Sequence, residues 1–323
     1  MCTAVTFHTR DHYFGRNLDL EYSYHETVTI TPRNYSLQFR NGTVLKTHYA
    51  MIGMAMVADN YPLYYDATNE KGLSMAGLNF PGNAVFHPAK AQADNIAPFE
   101  FIPWILGQCT TIQEAEIFLK RINLTDIPFS REYPCTPLHW IIADKTRAIT
   151  VESTVDGLYI MENPVGILTN NPPFPYHLYN LTNYMNLTYA EPVNRFSDTV
   201  DLVPYSRGMG GIGLPGDLSS ASRFVKAAFT KLNSRCGDSE SESISQFFHI
   251  LGSVAQQNGC VQVGNGFEKT VYSSCCNTDT GIYYYTTYGN SQITGVSLFR
   301  ENLDSNKLTS YELVKEQQIR MEN

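Results

Sequence analysis

A chain of 323 residues that is 43% hydrophobic and 17% charged, with 21 tyrosines and 17 phenylalanines, has the composition of a globular protein rich in sheet and excludes a disordered one. Its formal net charge of −8 excludes a nucleic-acid surface, because 23 scattered basic residues give no cluster for phosphates. The opening MCTAVTFHTRDHYFGRN lacks the basic and apolar regions of a secretory signal, and the longest mostly apolar run, near Tyr49 to Ala58, is about half a bilayer span, so a cytoplasmic protein without a membrane segment is expected.

Val5 and Phe7 alternate with Thr6 and His8, and Val28 and Ile30 alternate with threonines, which predicts strands; Asn41-Gly42 marks a turn. A hairpin is expected over Leu63 to Phe80, turning at Asn69-Glu-Lys-Gly72. Pro98 opens a helix to about Leu106, and Thr111-Ile-Gln-Glu114 has capping-box spacing before Ala115, Phe118 and Leu119. Strands return at Leu138 to Ala143 and Ala148 to Ser153 around a turn at Asp144 to Arg147, then at Gly157 to Glu162 and Gly166 to Thr169. Asn170-Asn-Pro-Pro-Phe-Pro175 must break regular structure.

A polar stretch over roughly 178–219 reads as an extended excursion within one domain of residues 1–323, since neither flank is a complete core. Ser219 or Ser220 caps a helix carrying Phe224, Ala227, Ala228 and Leu232, and Ser243 or Ser245 opens another carrying Phe247, Phe248 and Leu251. Val271 to Phe299 is strand again, with turns at Asp279-Thr-Gly and Gly289-Asn. Strands and helices alternate in blocks, which predicts an α+β fold of packed antiparallel sheets with helices outside.

Gly208-Met-Gly210-Gly-Ile-Gly213 spells a dinucleotide fingerprint, but no apolar strand precedes it and Pro215-Gly216 stands where its helix should run, so no cofactor is expected. Seven cysteines show no C-x-x-C spacing, and Cys275 and Cys276 on one strand would point to opposite faces. No histidine spacing suits a metal, and none is predicted. His139 follows Cys135 without a papain-like signature and reads as a strand histidine satisfied by its surroundings.

Cys2 differs because a chain terminus has its own chemistry. Removal of Met1 would leave a thiol beside a free α-amine of pKa about 7.7 to 8.0, close enough to neutrality for that amine to serve as base. A turn near Asp11 would fold Arg16 and Asp19 back beside the terminus, where a guanidinium favours a thiolate and a carboxylate orients an ammonium. A surface salt bridge across a hairpin explains the same pattern.

Beyond these patterns, M-C-T-A at the start, F-G-R-N-L-D at Phe14 to Asp19, N-E-K-G-L at Asn69 to Leu73, A-G-L-N-F-P at Ala76 to Pro81, L-T-N-N-P at Leu168 to Pro172 and S-S-A-S-R-F at Ser219 to Phe224 resemble the choloylglycine hydrolases. Within that family the chain is most similar to bile salt hydrolases of Gram-positive gut bacteria, with penicillin V acylases as near relatives. The resemblance implies an N-terminal nucleophile hydrolase fold of four αββα layers, acting on conjugated bile salts through a Cys2 thioester. It implies further that Arg16 and Asp19 assist the thiol and amine, that Asn79 and Asn170 lie at the oxyanion and substrate amide, and that Arg223 completes the polar site.

By the same analogy, Leu18, Tyr24, Tyr65, Ala67 and Phe129 line an apolar steroid pocket. Asn79 places the chain on the bile-salt side, since penicillin V acylases often carry Tyr there. A homotetramer is implied, with the excursion before Ser219 as a subunit contact. The alternatives are a penicillin V acylase and a catalytically silent relative that binds amphipathic ligands.

Overall fold

The computed structural model describes residues 1–323. β1 (Cys2–His8) and β2 (His12–Leu20) form the N-terminal hairpin; β3 (Thr27–Thr31) follows, then short β4 (Leu37–Gln38) and β5 (Val44–Leu45) around the Asn41-Gly42 turn. β6 (Met51–Ala58), β7 (Tyr61–Asn69) and β8 (Ser74–Asn79) form a meander, followed by β9 (Asp94–Ile96), α1 (Phe101–Gln108), α2 (Ile112–Leu119) and β10 (Ile122–Leu124). Next come β11 (Leu138–Ala143), β12 (Ala148–Thr154), β13 (Gly157–Glu162), β14 (Ile167–Leu168) and α3 (Phe174–Asn180). After a long stretch with little regular structure, the chain completes α4 (Ser220–Asn233), α5 (Glu240–Gly252), β15 (Val261–Val263), β16 (Gly266–Asn277), β17 (Ile282–Thr287), β18 (Asn290–Ser297) and β19 (Thr309–Glu312).

Two large sheets result, an eight-stranded one ordered β13-β12-β11-β8-β7-β6-β3-β19 and a seven-stranded one ordered β14-β1-β2-β16-β17-β18 with β15 beside β16. One core contains inward residues of both sheets, such as Ala4, Ile52 and Leu78, together with Val5 on the helix side and Phe224, Phe247 and Leu251 from α4 and α5. A second core packs Met75, Ile142 and Val151 of the eight-stranded sheet against Phe101, Ile105 and Ile112 of α1 and α2. Every apolar sheet face is therefore covered, giving the expected α-β-β-α layers. Gly15 lets β2 and β16 approach closely: a Cβ there would lie 1.9 Å from the Ser274 carbonyl oxygen. No helix is long and apolar enough to cross a membrane.

Local capping explains where the helices begin. The Ser219 hydroxyl accepts from Ser222 N as expected. The second helix starts earlier than its apolar positions suggested: Ser239 and Glu242 form a capping box, while Ser243 is buried with its hydroxyl on Thr9. Thr111 caps α2, but the Glu114 carboxylate turns back to Thr110. The proline-rich break ends sooner than expected because Pro173 and Pro175 occupy the entry of α3, where a missing N–H costs nothing. The excursion exposes Tyr189, Phe196, Val203 and Tyr205, more apolar surface than a polar stretch would carry.

His12 makes the fold sensitive to acid. Burial, then the neighbouring His8, pushes its pKa down to about 4. The unfolded chain binds this proton first, near pH 6.5, so stability present above that pH is lost as pH falls towards 4, by up to about 3 kcal/mol. Thermal unfolding of His12→Asn should show a flatter pH dependence than the parent over that window; an equal slope would acquit His12.

Candidate active site

Hairpin register sets the site. Cys2 pairs with Leu18 and Ala4 with Arg16, so Cys2, Arg16 and Leu18 share the inter-sheet face of the seven-stranded sheet, while Thr3, Asn17 and Asp19 face α4 and α5. Cys2, Arg16, Asp19, Asn170 and Arg223 are buried and Asn79 is half-buried. The structure thus brings the predicted polar residues to both faces of one strand end.

Arg223 links them. Its Nη1 donates to Cys2 O at 2.6 Å and to Thr3 Oγ1 at 2.6 Å, its Nη2 donates to Asn170 Oδ1 at 2.8 Å, and Nη1 lies 3.9 Å from Asp19 Oδ2. Asn170 Oδ1 also accepts from Cys2 N at 2.8 Å, and its Nδ2 donates to Asn79 O at 2.6 Å. Because Cys2 N–H and the guanidinium can only donate, the Asn170 carbonyl must face them. The Asn79 side chain forms no hydrogen bond within the protein and remains a free amide donor.

Arg16 Nη1 donates to Tyr65 O at 2.9 Å and to Gly77 O at 2.5 Å, while Nη2 is buried without a partner. Burial opposes the Arg16 charge, but Cys2, Tyr272, Asp66 and Asp19 outweigh it and its pKa is raised. Burial pushes the Asp19 carboxyl up, opposed by Arg223 and by the Thr270 hydroxyl that donates to Oδ1 at 2.7 Å. Asp19 Oδ2 has no hydrogen-bond partner. The Met1 ammonium extends β1, donating to Asp19 O at 2.6 Å and pairing with Glu268 Oε1 at 2.6 Å.

The expected pocket residues separate. Leu18 lies opposite Cys2, and half-buried Tyr65 packs against the same core. Tyr24 lines a cleft of about 620 Å³ with Met56, Val57 and Tyr133, and the Phe129 ring packs on Tyr61, Phe99 and Tyr133. Ala67 does not join them: it packs in the α1/α2 core on the far side of the eight-stranded sheet. Regular alternation would put Tyr65 and Ala67 on one face, but Met54 pairs with Asp66 and Ala55 with Tyr64, leaving Tyr65 in a β-bulge that reverses the sequence of faces.

Sequence reasoning missed Thr3, Glu268 and Thr270, which gave no signal because each meets Asp19, Arg223 or the terminus only through the fold. It also missed the support behind Asn170. His139 sits between Glu152 Oε1 and Thr169 O, at 2.9 Å from each, and stacks on Phe80, so this buried histidine is satisfied as expected and steadies the strand end before Asn170.

The pattern of linear amide C-N hydrolases, choloylglycine hydrolase family, matches residues 2–311. The chain belongs to the choloylglycine hydrolase family. It is 57% identical over 319 residues to a bile salt hydrolase/transferase of Lactiplantibacillus plantarum, covering 98% of each chain. A conjugated bile acid hydrolase from Clostridium perfringens has a crystal structure that matches with a TM-score of 0.92 at 37% identity, covering 100% of both chains. A penicillin V acylase from Agrobacterium tumefaciens matches with a TM-score of 0.74 at 15% identity over 96% of this chain and 90% of that one, which shows a shared fold. Hydrolysis of linear amides is the chemistry of this family.

Proposed function

We propose that this single-domain chain of residues 1–323 hydrolyses the amide bond of glycine- and taurine-conjugated bile salts, with Cys2 as nucleophile. The observation that carries the reading is Asn170 Oδ1 on Cys2 N, anchored by Arg223, which holds the nitrogen that becomes the base once Met1 is removed. The names of the full-length relatives and the Asn at position 79 support the bile-salt substrate.

In this mechanism the Cys2 amine takes the thiol proton and the thiolate, favoured by Arg16, attacks the amide carbonyl. The free Asn79 amide donates to the oxyanion, worth about 3 kcal/mol. The Cys2 ammonium returns its proton to the departing nitrogen, and glycine or taurine leaves a thioester. Water then loses a proton to the amine and adds to the thioester, freeing the bile acid and the thiol. Asp19 Oδ2 and Glu268 serve as acceptors that align the new terminus. Leu18, Tyr24, Tyr65 and Phe129 line the steroid side, the apolar excursion joins subunits of a homotetramer, and the protein works in the cytoplasm.

Glycocholate, taurocholate and penicillin V, offered to protein whose intact mass shows loss of Met1, test the substrate. Glycine and taurine are expected, with little penicillin V turnover. Rapid penicillin V cleavage without bile-salt cleavage would move the assignment to an acylase, and binding without release of any product would make the chain a silent relative. Protein retaining Met1 should be inactive, because a peptide nitrogen is no base.

A further inference from the structure

The bulge that turns Ala67 away carries Asp66 into the space between the sheets. Asp66 is 1% exposed; its Oδ1 accepts from Tyr272 OH at 2.7 Å, and its Oδ2 accepts from Tyr283 OH at 2.7 Å and Ser274 Oγ at 3.4 Å. Ser274 Oγ also accepts the Arg16 backbone N–H at 3.1 Å, and Tyr65, the residue before Asp66, offers its carbonyl to the Arg16 guanidinium. No step of the proposed mechanism uses this carboxyl. Leucine at 66 with phenylalanines at 272 and 283 would fill similar space without desolvating a charge. The polar cluster therefore calls for another explanation, and the charge that its hydrogen bonds reach, through Ser274 and the Tyr65 carbonyl, is Arg16.

We infer that Asp66 is a positioning residue which balances Arg16, and so limits how strongly that guanidinium favours the Cys2 thiolate. The inference rests on Cys2 as nucleophile but not on the identity of the substrate. A buried guanidinium without a counter-charge would draw a thiolate out at low pH, and nucleophilicity falls as a thiolate becomes too stable. Arg16, Tyr272, Cys276 and Tyr283 face the Asp66 carboxyl, while Arg16, Arg223, Asp19 and the terminal amine with Glu268 face the Cys2 region. Burial pushes the Asp66 carboxyl up, and Arg16 and the tyrosine hydroxyls hold it down.

The test follows iodoacetamide labelling of the N-terminal peptide by mass against pH, in protein lacking Met1, so that the other six cysteines do not contribute. Asp66→Asn should move the labelling midpoint down by about one pH unit, or about tenfold in thiolate on the acid side, while Asp66→Glu should restore it. Tyr283→Phe, which removes one donor and lets the buried carboxyl protonate at higher pH, should move the midpoint the same way by less. It carries the test if Asp66→Asn does not fold. A lower Tm with an unmoved midpoint, or an upward shift, would overturn the proposal. Labelling needs no bile salt, so failure of the substrate assignment leaves this result interpretable.

Discussion

Replacing Cys2 by Ala is expected to reduce glycine and taurine release by at least about 10⁴-fold. In the proposed mechanism the Cys2 sulfur is the atom that carries the acyl group. Asn79, Arg16 and the terminal amine would remain, but an amine without an adjacent nucleophile can only assist water. The substitution removes one sulfur from a buried position, and Ala at the start of β1 keeps the backbone bonds to Asn170 and Arg223. A thermal unfolding curve close to that of the parent would therefore accompany the loss. If several per cent of the rate survived in stopped assays on glycocholate, the thioester route would be wrong.

Asn79→Ala should be the next most damaging change, lowering kcat by about 10² to 10³ with a small effect on KM. The reason is the division of labour between the two asparagines. Asn170 spends its oxygen on Cys2 and Arg223 and its nitrogen on Asn79 O, whereas the half-buried Asn79 side chain is uncommitted within the protein. An amide with no partner in the free enzyme can meet an oxyanion without first breaking a bond. Steady-state kinetics on taurocholate would check this: a large rise in KM at constant kcat would mean that Asn79 binds ground-state substrate instead.

Much of the site was legible because it is local. Arg16 and Asp19 return to Cys2 through a hairpin whose turn and alternation are visible in the sequence, and Ser219 marks the entry of the helix that delivers Arg223. The reading failed where strand pairing departs from alternation. Nothing in Tyr64-Tyr65-Asp66-Ala67 announces that Met54 will pair with Asp66 and Ala55 with Tyr64, so neither the family analogy that offers Ala67 as a pocket residue nor the pattern itself shows that Ala67 turns away and Asp66 turns in. The start of α5 differs from the expected Ser243 or Ser245 for another reason: apolar spacing finds its buried face, but the Ser239–Glu242 box sets where it begins.

By itself, then, the sequence determined the layer composition, the hairpin that carries Arg16 and Asp19 back beside Cys2, and the family, because all three are written in short-range periodicity or contiguous motifs. The tertiary structure alone decided which faces those residues occupy. It placed Arg223, Thr3 and Asp19 on the helix side and Cys2, Arg16 and Asp66 between the sheets, pointed the Asn170 oxygen at the Cys2 nitrogen, and removed Ala67 from the pocket. Those outcomes depend on registers between strands far apart in sequence, and one bulged residue is enough to reverse them.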